Sequence, residues 1–62
     1  MSKFELNQRV RVQWPDWQKG KVGTITDSFP ANYETFYVVD VGEGERYTYK
    51  EHELEAVNDE SH

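Results

Sequence analysis

The chain has 62 residues, a net charge of −5 and no cysteine. A single domain of this size buries only about 60% of the surface its unfolded chain exposes, and without thiols it has no disulfide, thiolate metal site or cysteine nucleophile. No stretch approaches the roughly 20 apolar residues of a membrane span, and MSKFELNQ lacks the apolar run of a signal peptide, so a soluble, cytoplasmic protein with no membrane partner is expected.

The charge is uneven along the chain. Residues 1–26 carry Lys3, Arg9, Arg11, Lys19 and Lys21 against Glu5 and Asp16, a balance of +3; residues 27–62 carry Arg46 and Lys50 against ten acids, a balance of −8. The overall charge opposes a polyanion, since nonspecific nucleic-acid affinity comes from neutralising phosphates. The asymmetry nevertheless points to one basic and one acidic face.

In QRVRVQW the apolar residues Val10, Val12 and Trp14 alternate with Arg9, Arg11 and Gln13, which predicts a strand with one buried face and places Trp14 in the core. The next residues, WPDW, suit a turn with proline at its second position, and Gly20 supplies a positive φ for the returning chain. Trp17 is thereby set in the loop. GKVGTITD reads as a second strand, but Val22 and Ile25 are three apart, so a bulge near Gly23 is expected. SFPANYE has no period and reads as a loop holding Phe29 and Tyr33.

TFYVVDV is rich in β-branched and aromatic residues, with Tyr37, Val39 and Val41 on one face and Phe36, Val38 and Asp40 on the other. GEGE is a hairpin turn leading into RYTYK, where Tyr47 and Tyr49 share a face. KEHE makes one helical turn, LEAV closes with Leu54 and Val57, and NDESH is a polar, fraying tail. These elements predict an all-β domain over residues 1–57 with a flexible tail at 58–62. Five short strands are expected to close into a small barrel, with a single-turn helix before the last strand.

The segment RVRVQWPDWQKGKVGTITD resembles the KOW-type half of SH3-like barrels through Val10, Val12, Lys19, Gly20, Val22, Gly23 and Ile25. YKEHELEAV is similar to the end of small SH3-like proteins encoded by bacteria and their prophages. Together the resemblances cover about residues 4–57. They imply a five-stranded SH3-like barrel, a fold used for nucleic-acid binding, for peptide binding and for docking onto larger complexes.

Two sets of residues are candidates for contact. Trp17, Tyr33 and Phe36, with Phe29, are aromatics not claimed by an alternating core face, and exposed together they form the kind of patch that marks a protein interface. Arg9, Arg11, Lys19 and Lys21, with Trp17 at the hairpin tip, make a basic stripe beside an aromatic, the pattern that holds single-stranded nucleic acid. His52 between Glu51 and Glu53 does not converge on one ion, and no metal or cofactor is expected. No nucleophile with a base, phosphate-cradling loop or redox pair is present, and a barrel this small fills its interior with side chains. The sequence therefore reads as a noncatalytic interaction module with no small-molecule substrate, contacting a protein in a bacterial or phage setting. The alternatives are a KOW-like nucleic-acid binder and a docking subunit of a larger complex.

Overall fold

The computed structural model describes residues 4–57. Five antiparallel strands form one sheet: β1 (Arg9–Val12), β2 (Val22–Ala31), β3 (Glu34–Gly42), β4 (Glu45–Lys50) and β5 (Leu54–Ala56). Two single 3₁₀ turns complete the described elements, η1 (Asp16–Gln18) in the β1–β2 loop and η2 (Glu51–Glu53) between β4 and β5. The strand order is β4-β3-β2-β1-β5. The fold is all-β as expected, with η2 as the single turn before the last strand. No ladder joins β4 to β5 among the described residues, so the hydrogen bonding does not close the sheet, and the two strands are linked by η2 alone. The expectation for the tail at 58–62 lies outside the described residues.

The inward face follows the alternation. Val10 and Val12 of β1, Ile25 of β2, Tyr37 and Val39 of β3, Tyr49 of β4 and Leu54 of β5 are all buried, and Phe4 joins them from the N-terminal segment. Phe4 meets Tyr37 edge to face at 5.3 Å. Its N–H donates to the Tyr37 hydroxyl at 3.2 Å, and that hydroxyl donates to Glu51 Oε2 at 3.2 Å. One buried phenol thus ties the N-terminal segment, β3 and η2 together, and its polar atom is satisfied on both sides.

Three expectations are corrected. Trp14 is 58% exposed, outside the core: β1 ends at Val12, whose N–H donates to Lys21 O while its carbonyl accepts from Gly20 N, and Gln13 N–H turns to Glu53 O. The turn that follows holds a cis peptide bond between Trp14 and Pro15 and then η1. The bulge lies between Ile25 and Asp27 instead of near Gly23. Gly23 and Ile25 point inward together, and Val22, across from Arg11, is only half-buried. Finally, most of SFPANYE is strand. β2 runs through Ala31, with Ser28 across from Tyr37 and Phe29 across from Phe36, and the only loop residues are Asn32 and Tyr33, both with positive φ.

Gly23 marks a close approach of β2 to β3. A Cβ there would sit 2.5 Å from the Asp40 carbonyl oxygen and 2.7 Å from Val39 Cγ1. A side chain of any kind would push β2 off β3, so close approach and not turn geometry requires glycine here.

Candidate functional site

The loop between β1 and β2 is short, ordered by hydrogen bonds and capped by tryptophans. Gln18 N–H donates to Pro15 O at 2.9 Å, Lys19 N–H to Asp16 O at 3.1 Å and Lys21 N–H to Gln18 O at 3.1 Å, while the bonds from Val12 to Gly20 and Lys21 close its base. Gln18 is the one buried polar side chain among the described residues, 4% exposed, and its Oε1 accepts from the Tyr49 hydroxyl at 2.9 Å. That bond pins the lobe to the core. The same lobe leaves Trp14 58% and Trp17 75% exposed. Rigid backbone under exposed indoles is a preorganised surface, because little conformational entropy remains to be lost on binding.

The expected aromatic set is distributed over two regions. Trp17 lies on η1, in the loop before β2, whereas Tyr33 occupies the turn after β2 and is wholly exposed. The ten residues of β2 separate those two loops. Phe36 on β3 is half-buried and stacks on Phe29 at 5.6 Å with rings 13° from parallel. The stack is a cross-strand pair stabilising the β2–β3 hairpin. Trp17 and Tyr33 belong to none of the ring pairs among the described residues. Trp14, which the alternation assigns to the core, lies at the surface and gives Trp17 an exposed indole three residues away.

The basic set divides as well. Arg11 sits directly across from Glu55 and contacts its Oε2 at 3.3 Å, and the other oxygen of that carboxylate accepts from Gln13 Nε2 at 2.9 Å. Arg46 and Lys50 have Asp40 and Glu34 at 3.9 and 3.8 Å. Arg9, Lys19 and Lys21 are exposed and make no ion pair among the described residues. Lys21 lies across from Val12 rather than from either arginine, so the four cations are not one stripe on a single strand face. Arg9 borders an open groove of about 390 Å³ whose other side carries Asp40 and Gly42. Thr24 and Thr26 line it as well; Thr26 Oγ1 donates to Val38 O at 3.4 Å and the Asp40 carboxylate accepts from Gly42 N–H at 2.8 Å.

Comparison with family models, with curated proteins and with solved structures finds no match. Among the described residues no three His, Cys, Asp or Glu side chains are placed to hold a metal ion. No helix of the described residues is long and apolar enough to cross a membrane.

Neither Trp14 nor Gln18 stood out as functional in the sequence. Trp14 continues an apolar alternation that the backbone abandons two residues earlier, and the only signal against a core role is the proline that follows it. Gln18 is a polar residue in a loop, and nothing in the sequence marks it as buried.

Proposed function

We propose that this chain is a noncatalytic interaction module of SH3-like barrel type, working in a bacterial or phage cytoplasm, that contacts a protein partner through the lobe of residues 14–19. The single observation that carries this reading is the pair of exposed tryptophans on a loop fixed by the bond from Tyr49 to Gln18. Tryptophan is enriched at interface hot spots, where a large rigid apolar surface is gained at low entropic cost. Tyr33, with the stack of Phe29 and Phe36, supplies a second contact region on the β2–β3 hairpin.

Arg9, Lys19 and Lys21, which make no ion pair among the described residues, support one other reading, single-stranded nucleic acid held by Arg9, Arg11, Trp17, Lys19 and Lys21. Arg11 speaks against it, because Glu55 already neutralises that side chain. Docking onto a larger enzyme is the protein-contact reading with a stable rather than transient partner.

The deciding experiment is affinity capture from bacterial lysate with three baits: the native chain, Trp14→Ala with Trp17→Ala, and Lys19→Glu with Lys21→Glu. A captured protein lost with the tryptophan variant and retained at moderate salt supports the reading. A parallel amide-resolved titration with single-stranded DNA and RNA tests the alternative. Salt-sensitive shifts at Arg9, Trp17, Lys19 and Lys21, abolished in the lysine variant, would replace the protein reading with the nucleic-acid one.

A further inference from the structure

Three stretches of strand edge have no neighbour among the described residues: the outer edges of β4 and β5, and residues 26–31 of β2, beyond the bond from Asn7 N–H to Ile25 O. They are not equivalent. β5 has only three residues. On β2, the two-residue turn makes Ala31 and Glu34 a hydrogen-bonded pair, so Phe29 bonds to β3 while Ser28 and Pro30 turn their backbone outward. Pro30 has no N–H, and the Ser28 N–H is already taken by Asp27 Oδ1 at 2.8 Å. From Ser28 to Pro30 this edge offers an incoming strand no donor.

β4 is different. The same alternation, counted from the turn at Glu43 and Gly44, directs Glu45, Tyr47 and Tyr49 to β3 and leaves Arg46, Thr48 and Lys50 facing out. The Lys50 N–H agrees with this phase, since it donates away from β3 to Glu53 Oε1 at 2.8 Å. Arg46 and Thr48 are both exposed, and each presents a donor and an acceptor two residues apart. This is a complete template for strand addition.

We propose that β4 pairs antiparallel with β4 of a second copy, Arg46 lying opposite the second copy's Thr48 and the two Tyr47 residues facing each other across the twofold axis. The charges select the register. Shifting the pairing by one step of the ladder sets Arg46 against Arg46 in one direction and Arg46 against Lys50 in the other, like charges directly opposite and therefore unfavourable. The intermediate register avoids both and makes four intermolecular hydrogen bonds. The strand is self-complementary in this register: each Arg46 meets a neutral Thr48, and each copy supplies two donors and two acceptors to the other. The contact is isologous, as a twofold dimer requires. It belongs to the small, weak class of interfaces, and the net charge of −5 on each copy means that added salt strengthens it by screening.

Sedimentation velocity and amide spectra over a dilution series up to about 1 mM test this. The expected result is a monomer–dimer equilibrium, favoured by salt, with concentration-dependent shifts centred on Arg46, Tyr47 and Thr48. Two exposed substitutions read the register with opposite signs. Thr48→Glu faces Arg46 of the other copy and tightens the dimer about three- to tenfold, and Thr48→Lys weakens it by a similar factor. A chain that stays monomeric throughout overturns the proposal, as does a dimer whose shifts map away from β4. Weakening by Thr48→Glu would overturn the register, because it is the result expected if Thr48 faced Thr48.

Discussion

The Tyr49 hydroxyl donates to Gln18 Oε1 at 2.9 Å, joining the edge strand β4 to the only buried polar side chain of the tryptophan-bearing lobe. Removing either partner leaves the other buried and unsatisfied, which costs about 1–3 kcal/mol. Gln18→Ala is expected to lower the melting temperature by about 4–8 °C per kcal/mol in a domain of this size. Amide exchange at residues 14–19 should accelerate more than at β3. Unchanged protection of the lobe in Gln18→Ala would show that the bond does not hold it.

The same phenol gives the fold an alkaline limit. Burial raises the Tyr49 pKa above the ordinary value of 10.0, with the charges of Tyr47 and Glu53 adding to the effect. The folded state therefore holds this proton more tightly than the unfolded chain does. Its contribution is intact below pH 10 and is lost as pH rises through the raised folded value. Urea midpoints measured from pH 7 to 11 should fall above pH 10 in the native chain. Tyr49→Phe, less stable at neutral pH, should fall less steeply, and equal slopes would assign the alkaline loss to other groups.

Trp14 and Trp17 should be dispensable for folding. Truncating a core aromatic costs about 3–5 kcal/mol, whereas exposed positions usually change stability by about 0.5 kcal/mol. With Trp17 75% and Trp14 58% exposed, Trp17→Ala is expected near the lower figure and Trp14→Ala below about 1 kcal/mol. Denaturant titration of each variant is the check. A loss of several kcal/mol at Trp14 would restore the core role that its alternation with Val10 and Val12 suggests.

That alternation shows where the sequence is informative and where it stops. The inward faces of β1, β3 and β4 follow from a period of two, because Val10, Val12, Tyr37, Val39 and Tyr49 each lie on a strand with one buried side. The end of β1 does not follow, since Trp14 keeps the side-chain period while the backbone of Val12 and Gln13 turns to Lys21, Gly20 and Glu53. The outer half of β2 is hidden for a related reason: Pro30 reads as a strand breaker, but its missing N–H faces away from β3, where no ladder bond is needed. Burial of Phe4 and Gln18 depends on partners 33 and 31 residues away. Of the candidate site, Trp17 was legible as a loop tryptophan, whereas the pairing of Arg11 with Glu55 required the register of β1 against β5.

Gly23 tests the packing of β2 on β3. Because an added Cβ would lie 2.5 Å from the Asp40 carbonyl oxygen and 2.7 Å from Val39 Cγ1, backbone has to move to admit even a methyl group. Overpacking of this kind costs about 1–3 kcal/mol where side chains can yield, and occasionally more. Gly23→Ala is therefore expected to destabilise by at least about 2 kcal/mol, with shifts of the Val39 and Asp40 amides in the folded spectrum. A neutral effect would mean that the two strands lie further apart.

Tyr33 carries a conformational cost with no packing return. Its φ is +64°, in a two-residue turn with Asn32 at +54°, and its side chain is fully exposed. The left-handed region costs a residue with a Cβ about 1–2 kcal/mol, and this turn type favours glycine at its second position. Tyr33→Gly is expected to raise the denaturation midpoint by an amount equivalent to about 1 kcal/mol, less the extra chain entropy that glycine brings to the unfolded state. The proposed function gives this strained, solvent-facing tyrosine a role in contact. The same variant should weaken binding of any partner that uses the β2–β3 hairpin, and a variant that is both more stable and equally active would remove Tyr33 from the interaction surface.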